Sequence, residues 1–335
     1  MKRRFFAALV IAALALAVPG STPSPADAQK SYTLRIATLA PRGSSWMRIF
    51  DAWNASVKKE TNGKLKLRFY PGGVAGDERD FVRKMRAGQM DGAAVTSTGL
   101  GLVVRPVLVL AVPGMFDSYQ ELDKVRNMLS ADLEKQFLAN GYKLLGWGDV
   151  GQARLFSSAR PIRKPSDLKK VRPWAWRDDV IFTEVLKVVG ANPIRLGVPE
   201  VYPALQTGMV DTVPSSAIAA VSLQWYTRLK YVTKQDTSTI IGATILKKEK
   251  YQELPDDLRA AFDKTSVKAH KALRSVIRRD DKRAYKTVLK RGLKEIDAES
   301  QRPAWEKVAK KVRNNLKGRL YPASLLKKVQ RATGG

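Results

Sequence analysis

Two hydrophobic periodicities alternate along the chain. Apolar residues take every second position in Tyr32–Leu39 and again in Lys64–Tyr70, which predicts two strands. Between them we expect a helix that starts at Ser44 or Ser45 and runs to about Lys59. Its apolar side carries Trp46, Ile49, Phe50 and Trp53. The chain therefore begins as strand, helix, strand.

The same two periods continue toward the C-terminus. After a glycine-containing loop, Asp77 is predicted to cap a helix that ends at Gly88. The further predicted strands are Ala93–Thr96, Leu108–Val112, Tyr142–Trp147, the segment around Trp174, Pro193–Leu196, Val210–Val213 and Ser238–Leu246. The further predicted helices are Tyr119–Ala139, a turn at Ser166–Leu168, Asp178–Val189, Pro199–Thr207, Ala217–Leu229, Pro255–Leu293 and a tail over Ser300–Gln330 with breaks at Gly318 and Pro322. This alternation is typical of a mostly parallel sheet covered by helices.

The alternation restarts after Gly151, which predicts an α/β fold of two lobes with a ligand cleft between them. We expect the first lobe over 29–150, the second over 151–234 and a return to the first over 235–254. A long helix over 255–293 is expected to bridge both lobes. The remaining residues, 294–335, are expected to form a basic helical tail.

Residues 1–28 have the features of a secretory signal peptide. A basic start at residues 2–4 precedes an apolar run, Phe5–Val18, that is too short to cross a bilayer. Ala26–Ala28 fits a small-x-small cleavage site, so we predict cleavage before Gln29. No later apolar run is long enough to span a membrane. We therefore expect a soluble periplasmic protein, and an uncleaved N-terminal anchor is the alternative.

The composition is strongly basic and free of cysteine. The formal net charge of +29 becomes +27 once three basic residues and one acidic residue leave with the signal peptide. From Lys247 to Gly335 there are 26 Lys and Arg against 11 Asp and Glu. Export argues against nucleic acid as a partner, which leaves either a well-solvated surface or attraction to an anionic membrane surface. Without cysteine the chain forms no disulfide.

Residues for enzyme chemistry are scarce. The single histidine, His270, lies in a basic stretch of predicted helix and is expected to be solvated. The chain has no G-x-S-x-G, H-E-x-x-H or phosphate-binding G-K-[ST] motif. Metal binding by thiolates or by several imidazoles is excluded. The sequence therefore predicts a binding protein without cofactor or metal, and not an enzyme.

Several short motifs are far more specific. Arg154–Lys169 (RLFSSARPIRKPSDLK), Gly190–Pro193 (GANP) and above all Glu200–Asp211 (EVYPALQTGMVD) follow one another in this order, after TNGK, FYP, GDER and GQMD. Together they resemble the solute-binding proteins of tripartite ATP-independent periplasmic (TRAP) transporters, the DctP-like family, over about residues 32–290. The resemblance implies a two-lobed periplasmic-binding-protein fold. It also implies that the cleft closes over an organic acid, which is delivered to the small and large membrane subunits of a secondary permease.

The resemblance also points to a departure from the family. There, the strand after Asp-Leu-Lys typically reads K-x-R-x-P, and its arginine clamps the ligand carboxylate with two hydrogen bonds. Here that position falls on Trp174, and Trp176 replaces the proline. In a regular strand the two indoles share one face, whereas Arg172 and Arg177 point to the other, unless a bulge brings Arg172 back. Arg154 is retained and is expected either to hold the acidic group or to brace the cleft through a salt bridge.

Other ligand contacts are implied from both lobes. They are Glu78, Thr96, Ser97, Val198, at a position that is often aromatic, and Ser215 and Ser216, where the family often has an amide side chain. A cleft with one cation fewer and two indoles more favours an anion with an apolar or aromatic part. Packing of both indoles in the core is the alternative. A second hypothesis for the whole chain is a periplasmic lipid or solute carrier, or a sensor scaffold, that is not coupled to transport.

Overall fold

The structure, a computed structural model, describes residues 30–334. The predicted signal peptide and its cleavage site lie outside these residues. Within them the strands are β1 (Tyr32–Thr38), β2 (Leu65–Tyr70), β3 (Gly92–Thr96), β4 (Tyr142–Ser157), β5 (Trp174–Trp176), β6 (Ile194–Leu196), β7 (Thr212–Ser215), β8 (Tyr231–Thr233), β9 (Ser238–Lys247) and β10 (Lys294–Ile296).

The α-helices of the same part of the chain are α1 (Ser45–Glu60), α2 (Glu78–Arg86), α3 (Ser97–Val103), α4 (Tyr119–Ala139), α5 (Val180–Val189), α6 (Val198–Thr207), α7 (Ala217–Ser222), α8 (Lys248–Gln252), α9 (Asp256–Lys290), α10 (Arg302–Leu316) and α11 (Ala323–Thr333). Short 3-10 helices are Arg105–Leu110, Pro165–Lys170, Trp225–Arg228 and Glu299–Gln301. None of the described helices is both long and apolar enough to cross a membrane.

The main sheet is mixed, not mostly parallel as predicted. Its strand order is β2-β1-β3-β9-β4-β8-β10, and β7 also pairs with β4. β1 is parallel to β2 and β3, whereas β9 is antiparallel to both β3 and β4. β4 is long: up to Ala153 it pairs with β9, and from Arg154 it pairs with β7. The prediction is wrong because β4 serves both lobes and its partner β9 returns in the opposite direction.

We use "first lobe" for β1–β3, β9 and α1–α4, and "second lobe" for β5–β8, β10 and α5–α7. The residue borders of the two lobes that the sequence analysis gives stay a prediction. α9 joins the two lobes over 35 residues, or about 52 Å at about 1.5 Å per residue. Phe262 of α9 stacks on Trp53 of α1, with ring centroids 5.6 Å apart. Farther along, the Asp281 carboxylate accepts hydrogen bonds from the N–H groups of Gln152 in β4 and Ile218 in α7, both at 3.0 Å. The bridging helix is confirmed.

Gly151 lies where β4 crosses between the lobes. The pairing of β4 with β9 is irregular between Asp149 and Gly151. Gly151 has φ +119, and a Cβ there would lie 2.6 Å from the carboxyl carbon of Asp281. Glycine fits because it tolerates positive φ and has no side chain. The crossing is therefore packed directly on α9.

The predicted strand Leu108–Val112 is wrong. Arg105–Leu110 form a 3-10 helix instead, and its residues from Val107 onward are buried. Pro106 favours the first helical turn because its φ is fixed and it has no N–H to satisfy. A fully buried apolar run has no periodicity that separates helix from strand.

The helix predicted over Ala217–Leu229 is shorter than expected. α7 ends at Ser222, and Gln224 adopts a left-handed backbone with φ +62 before a separate 3-10 turn begins at Trp225. A left-handed residue ends an α-helix, and glutamine gives little sequence signal for it, since glycine and asparagine are the usual residues there.

His270 is buried and not solvated, so that prediction is wrong. Its ring nitrogens lie 2.7 Å from the Ser266 carbonyl oxygen and 2.8 Å from the Thr244 hydroxyl of β9. A Cβ on Gly146 would lie 2.4 Å from the ring, so the glycine leaves the necessary space. Burial lowers the pKa of His270 to about 4. The face of α9 that carries His270 packs on the sheet. The sequence did not indicate this burial, because the residues next to His270 are basic.

The predicted helical C-terminal tail is confirmed, and it contacts both lobes. α10 lies against α5 of the second lobe, where the Asn315 amide donates to the Glu184 carboxylate at 2.8 Å. α11 lies against α4 of the first lobe, where the Lys124 ammonium donates to the Ala332 carbonyl at 2.9 Å. The tail therefore forms a connection between the lobes in addition to α9.

Candidate functional site

A cavity of about 1120 Å³ lies between the lobes. Strands of both lobes end at it, since Thr38 of β1, Thr96 of β3, Trp176 of β5 and Ser215 of β7 are terminal residues that line its wall. Ligands of open α/β sheets bind beyond the carboxyl ends of the strands. Pockets for small molecules usually have volumes of about 300–1,000 Å³, so this cavity has room for a ligand and water.

The wall is rich in aromatic side chains. Five of the seven tryptophans line the cavity, namely Trp46, Trp174, Trp176, Trp225 and Trp305. Phenylalanines 50, 116 and 182 line it as well. Such rings present large apolar areas and faces on which another ring or an alkyl chain can stack.

Trp174 and Trp176 share one face of β5, as the strand periodicity predicts. The pairing of β5 with β6 is regular, and the two indoles are stacked with centroids 6.3 Å apart. Trp174 is buried, meets Trp225 edge-on at 5.3 Å, and donates its indole N–H to the Leu196 carbonyl at 3.0 Å. Trp174 is thus part of the core of the second lobe and of the cavity wall at once.

Asp77 links the first lobe to Trp176 in the second. Its carboxylate accepts hydrogen bonds from the Trp176 indole N–H at 2.8 Å and from the Val198 backbone N–H at 3.1 Å. It also caps α2 by accepting from the Glu78 N–H at 2.8 Å. Burial raises the pKa of Asp77, and this effect is larger than the lowering by the hydrogen bonds. A Cβ on Gly197 would lie 2.5 Å from the carboxylate, so the lobes approach each other closely here.

Glu78 lies beside Asp77 and lines the cavity. Its side chain is buried and accepts hydrogen bonds from the N–H groups of Thr96 and Gly99, both at 2.7 Å. The Thr96 hydroxyl is 3.0 Å away. Burial raises the pKa of Glu78 to about 8, more than these bonds lower it. The folded protein therefore favours the protonated form of this carboxyl more than water does.

The structure places most of the remaining predicted residues at the cavity. Ser97, the first residue of α3, lines it together with Val198 at the start of α6. Ser215 lines it too, and its hydroxyl donates to the Ser216 carbonyl at 3.1 Å. Ser216 does not line the cavity, because it is buried as the N-cap of α7 and accepts from the Ala219 N–H at 3.3 Å.

Arg154 does not line the cavity. Its guanidinium carbon lies 4.3 Å from the centre of the Tyr285 ring, and one terminal nitrogen donates to the Lys234 carbonyl. The other terminal nitrogen is 3.8 Å from the Asp236 carboxylate. These contacts are those of a residue that braces the cleft through a salt bridge. In the sequence analysis this role was the alternative to ligand binding.

The two arginines that flank the tryptophans also face away from the cavity. Arg172 pairs with Asp211 at 3.3 Å, and Arg177 pairs with Glu200 at 2.7 Å. Arg172 is held by Asp211 and does not line the cavity, and the pairing of β5 that follows it is regular. The clamping arginine that the family resemblance implies therefore has no replacement on this strand.

The basic residues that line the cavity, within the described chain, all lie on α10. They are Arg302, Lys307, Lys310 and Arg313. Reasoning from sequence missed them, because periodicity shows that α10 is a helix but not that it reaches a cleft built by residues far away in the chain. The excess of basic residues in the tail is the one signal that pointed to this region.

No group of three or more His, Asp or Glu side chains within residues 30–334 is arranged to hold a metal ion. Four of the six acidic residues described at the cavity, Glu78, Asp149, Asp179 and Asp236, are engaged with the protein, whereas Asp117 and Glu306 are exposed to solvent. Asp149, for example, pairs with Arg126 at 2.8 Å and with Arg278 at 2.7 Å. The site is built for contact with a ligand through rings, hydroxyl groups and the cations of α10.

Residues 36–318 match the family described as "Bacterial extracellular solute-binding protein, family 7", or DctP. The chain belongs to this family. Among its relatives, the C4-dicarboxylate-binding periplasmic protein DctP of Rhodobacter capsulatus is 26% identical over 332 residues, which cover 96% of each chain.

Two solved TRAP periplasmic solute-binding proteins have the same fold as this family 7 chain. One, from Ralstonia eutropha H16 with bound (S)-2-acetolactate, gives a TM-score of 0.84 at 23% identity over 90% of this chain and 98% of its own. The other, from Sulfurospirillum deleyianum DSM 6946 with bound succinate, gives 0.83 at 21% identity over 90% and 99%. The two-lobed α/β fold expected from the sequence is confirmed.

Family 7 members are solute-binding proteins and not enzymes, so the family and the non-enzymatic character predicted from the sequence are both confirmed. The cavity between the lobes is the candidate solute site of this member. Its wall differs from the clamp implied for the family, since two indoles and no arginine project from β5.

Proposed function

We propose that the protein is a periplasmic receptor that closes its cleft over an organic anion with an apolar or aromatic part and delivers it to a TRAP-type secondary permease. The observation that carries the proposal is the cavity wall, which combines five tryptophans with cations on a single helix. The organic-acid class is supported by the relatives described above with bound succinate and acetolactate.

The apolar part of the ligand is argued from the rings. Trp174 stands where the resemblance implies an arginine and Trp176 where it implies a proline, and Phe182 of α5 lines the same cavity. A lost charged hydrogen bond weakens binding of a small dicarboxylate by about 1.5–3 kcal/mol. Stacking on an indole adds about 0.5–1.5 kcal/mol beyond the buried area, which favours a ligand with a ring or an alkyl chain.

The contacts between the lobes support a mechanism in which the cleft closes. Asp77 bonds to Trp176 and Val198, and Arg79 lies 3.5 Å from Asp178. A ligand that touches both lobes favours the state in which such contacts form. The proposed receptor therefore binds by closing its cleft around the solute.

Tryptophan fluorescence tests the proposed ligand class. We expect octanoate and phenylacetate to change the emission of the protein, and succinate to do so only at much higher concentration. Trp174→Phe and Trp176→Phe should weaken binding of both acids by about tenfold. Trp53→Phe and Trp147→Phe are matched controls, because neither residue lines the cavity. Equal weakening in all four variants would refute a direct role of the β5 indoles.

Delivery to a permease has its own test. Genes for a small and a large TRAP membrane subunit should lie beside this gene, and uptake of the bound acid by cells should require all three proteins. Uptake that continues without the membrane subunits would support instead a carrier or sensor that is not coupled to transport.

We also propose weak attraction of the basic tail to anionic membranes. α10 and α11 carry exposed basic residues, among them Lys307, Lys311 and Arg331. Each basic residue near an anionic surface contributes about 1 kcal/mol at most, and salt screens the effect. At low salt the protein should partition onto vesicles with anionic lipid more than onto neutral ones. Equal partitioning would remove this proposal.

A further inference from the structure

Arg313 of α10 joins the C-terminal tail to the first lobe at the cavity. It lines the cavity, and one of its terminal nitrogens donates to the carbonyls of Pro113 at 2.7 Å and Gly114 at 2.9 Å. These bonds hold a C-terminal residue against the first lobe. Gly114 makes the approach feasible, since a Cβ there would lie 2.9 Å from the same nitrogen.

The charge of Arg313 is not neutralised by an ion pair, although the exposed Glu306 lies near enough to raise its pKa. No acidic side chain of the described residues pairs with it, and its other two nitrogens make no hydrogen bond within residues 30–334. The residue is only partly exposed. Burial lowers the pKa of Arg313 more than Tyr321 and Glu306 raise it, so an anion placed at the free nitrogens would be favoured. The fork of a guanidinium matches a carboxylate with two parallel hydrogen bonds.

The other basic residues near the cleft are poorer candidates. Arg302 is exposed and pairs with Glu299 at 2.6 Å, and Lys307 and Lys310 are exposed to solvent. Arg154, Arg172 and Arg177 do not line the cavity at all. Arg313 thus combines a place in the wall, partial burial, a fixed position and free donors.

Four of the six acidic residues described in the wall are engaged by protein groups, and the other two, Asp117 and Glu306, are exposed to solvent. Asp149 is neutralised by Arg126 and Arg278, and Glu78 holds hydrogen bonds from Thr96 and Gly99. The aromatic residue Phe182 and the cation share the cavity. One ligand can therefore meet rings and a guanidinium within the same space.

We propose that Arg313, supplied by the C-terminal tail, takes the acidic group of the ligand in place of the strand arginine. This inference rests on the proposed function, because it names the residue that recognises the anion. The proposal has a structural consequence. α10 contacts α5 of the second lobe through Asn315 and the first lobe through Arg313. A ligand bound to Arg313 would therefore contact the helix that connects the two lobes. Release of the ligand and displacement of α10 are then coupled.

Calorimetry with matched acids and amides tests the proposal. The probes are octanoate with octanamide, phenylacetate with phenylacetamide, and succinate. Wild-type protein should bind at least one acid about ten- to a hundredfold more tightly than its amide. Arg313→Gln should lose that preference and leave the affinity for the amide unchanged. Arg313→Lys should keep part of it, because it retains the charge without the fork.

Lys311→Gln is the matched control. It removes one positive charge from the same helix at an exposed position that does not line the cavity. It should bind like wild type. Unfolding temperatures without ligand establish that each variant is folded, and if Arg313→Gln fails to fold, Arg313→Lys alone carries the comparison.

The possible outcomes distinguish the role of Arg313 from the proposed function. Equal acid affinity of the wild type and the Arg313 variants would overturn the role of Arg313 and leave the proposed function intact. If none of the acids bound to the wild type, the proposed function would fall, and the role of Arg313 with it. A loss of acid preference in Lys311→Gln as large as in Arg313→Gln would also overturn the assignment, since it would show a diffuse effect of charge.

Discussion

The indole N–H of Trp176 donates a hydrogen bond to the carboxylate of Asp77 at 2.8 Å, and this bond joins the two lobes across the cleft. Trp176 ends β5 in the second lobe, and Asp77 caps α2 in the first. A residue expected from the sequence to contact ligand therefore also holds the lobes together. In the proposed receptor, ligand binding and closure of the cleft would therefore share one side chain.

Breaking this bond should favour the open cleft. Trp176→Phe removes the donor and so breaks the bond, whereas Asp77→Asn keeps an acceptor and a good helix cap but removes the charge, which weakens the bond. A hydrogen bond to a charged group contributes about 1.5–3 kcal/mol, so ligand affinity should fall by roughly tenfold or more. Small-angle X-ray scattering should show a larger radius of gyration without ligand. Unchanged radius and affinity in both variants would show that the bond does not control closure.

His270 should stay neutral well below its usual pKa. The folded value is lowered to about 4 from 6.5 by burial. The associated stability is therefore fully present above pH 6.5 and is lost as the pH falls through about 4. Since the chain has one histidine, the ring-proton NMR signal of untagged protein is unambiguous. It should not move between about pH 7.5 and pH 5, and a midpoint near the usual value would contradict the burial.

Glu78 should make the protein less stable as the pH rises. Its pKa is raised from 4.5 to about 8 in the folded protein, so the folded state holds a proton that the unfolded chain releases above pH 4.5. This contribution is complete below pH 4.5 and is lost as the pH rises through about 8. The free energy of unfolding, measured with urea from about pH 5 to 8, should fall less steeply in Glu78→Gln than in wild type.

Glu134→Gln is the control for Glu78, because Glu134 is exposed on α4. Its slope should match that of wild type. Some slope should remain in Glu78→Gln, because burial also raises the pKa of Asp77, Asp179 and Asp281. A Glu78→Gln slope identical to wild type would mean that Glu78 is ionised in the folded protein.

Gly151→Ala should destabilise the crossing of β4 between the lobes. The new Cβ would lie 2.6–2.8 Å from the Asp281 carboxylate, at φ +119. Gly141→Ala is a matched control, since its φ is +84 and nothing lies within 4 Å of a Cβ there. The free energy of unfolding should fall by about 1–3 kcal/mol more in Gly151→Ala than in the control, the usual cost of overpacking. Equal losses would show that the Asp281 contact relaxes freely.

Local sequence patterns predicted most helices and strands, because helix caps and hydrophobic periodicity depend on residues that are close together in the chain. Asp77 caps α2 as expected, and the alternation at Trp174 and Trp176 placed both indoles on one face. The fold class followed from the order of the elements and from the family resemblance. The segment at Leu108 was mistaken because burial on every side removes the periodic signal.

The site was less predictable, because it depends on contacts between distant parts of the chain. Arg154 fits the family pattern, yet Tyr285 and Asp236 hold it outside the cavity wall. Arg313 reaches the cavity only because α10 packs on α5. Neither contact can be recognised from local periodicity, and both determine which positive charges lie at the candidate solute site.

A thermal-shift screen of the mature wild-type protein tests the proposed ligand class most directly. The compounds are succinate, phenylacetate, indole-3-acetate, octanoate and longer fatty acids. A ligand at a hundred times its dissociation constant adds about 2.7 kcal/mol to the free energy of unfolding. We predict a clear rise in unfolding temperature with the aromatic or fatty acids and little with succinate. A shift with succinate alone would contradict the proposal that the indoles of β5 have remodelled the cleft for an apolar acid.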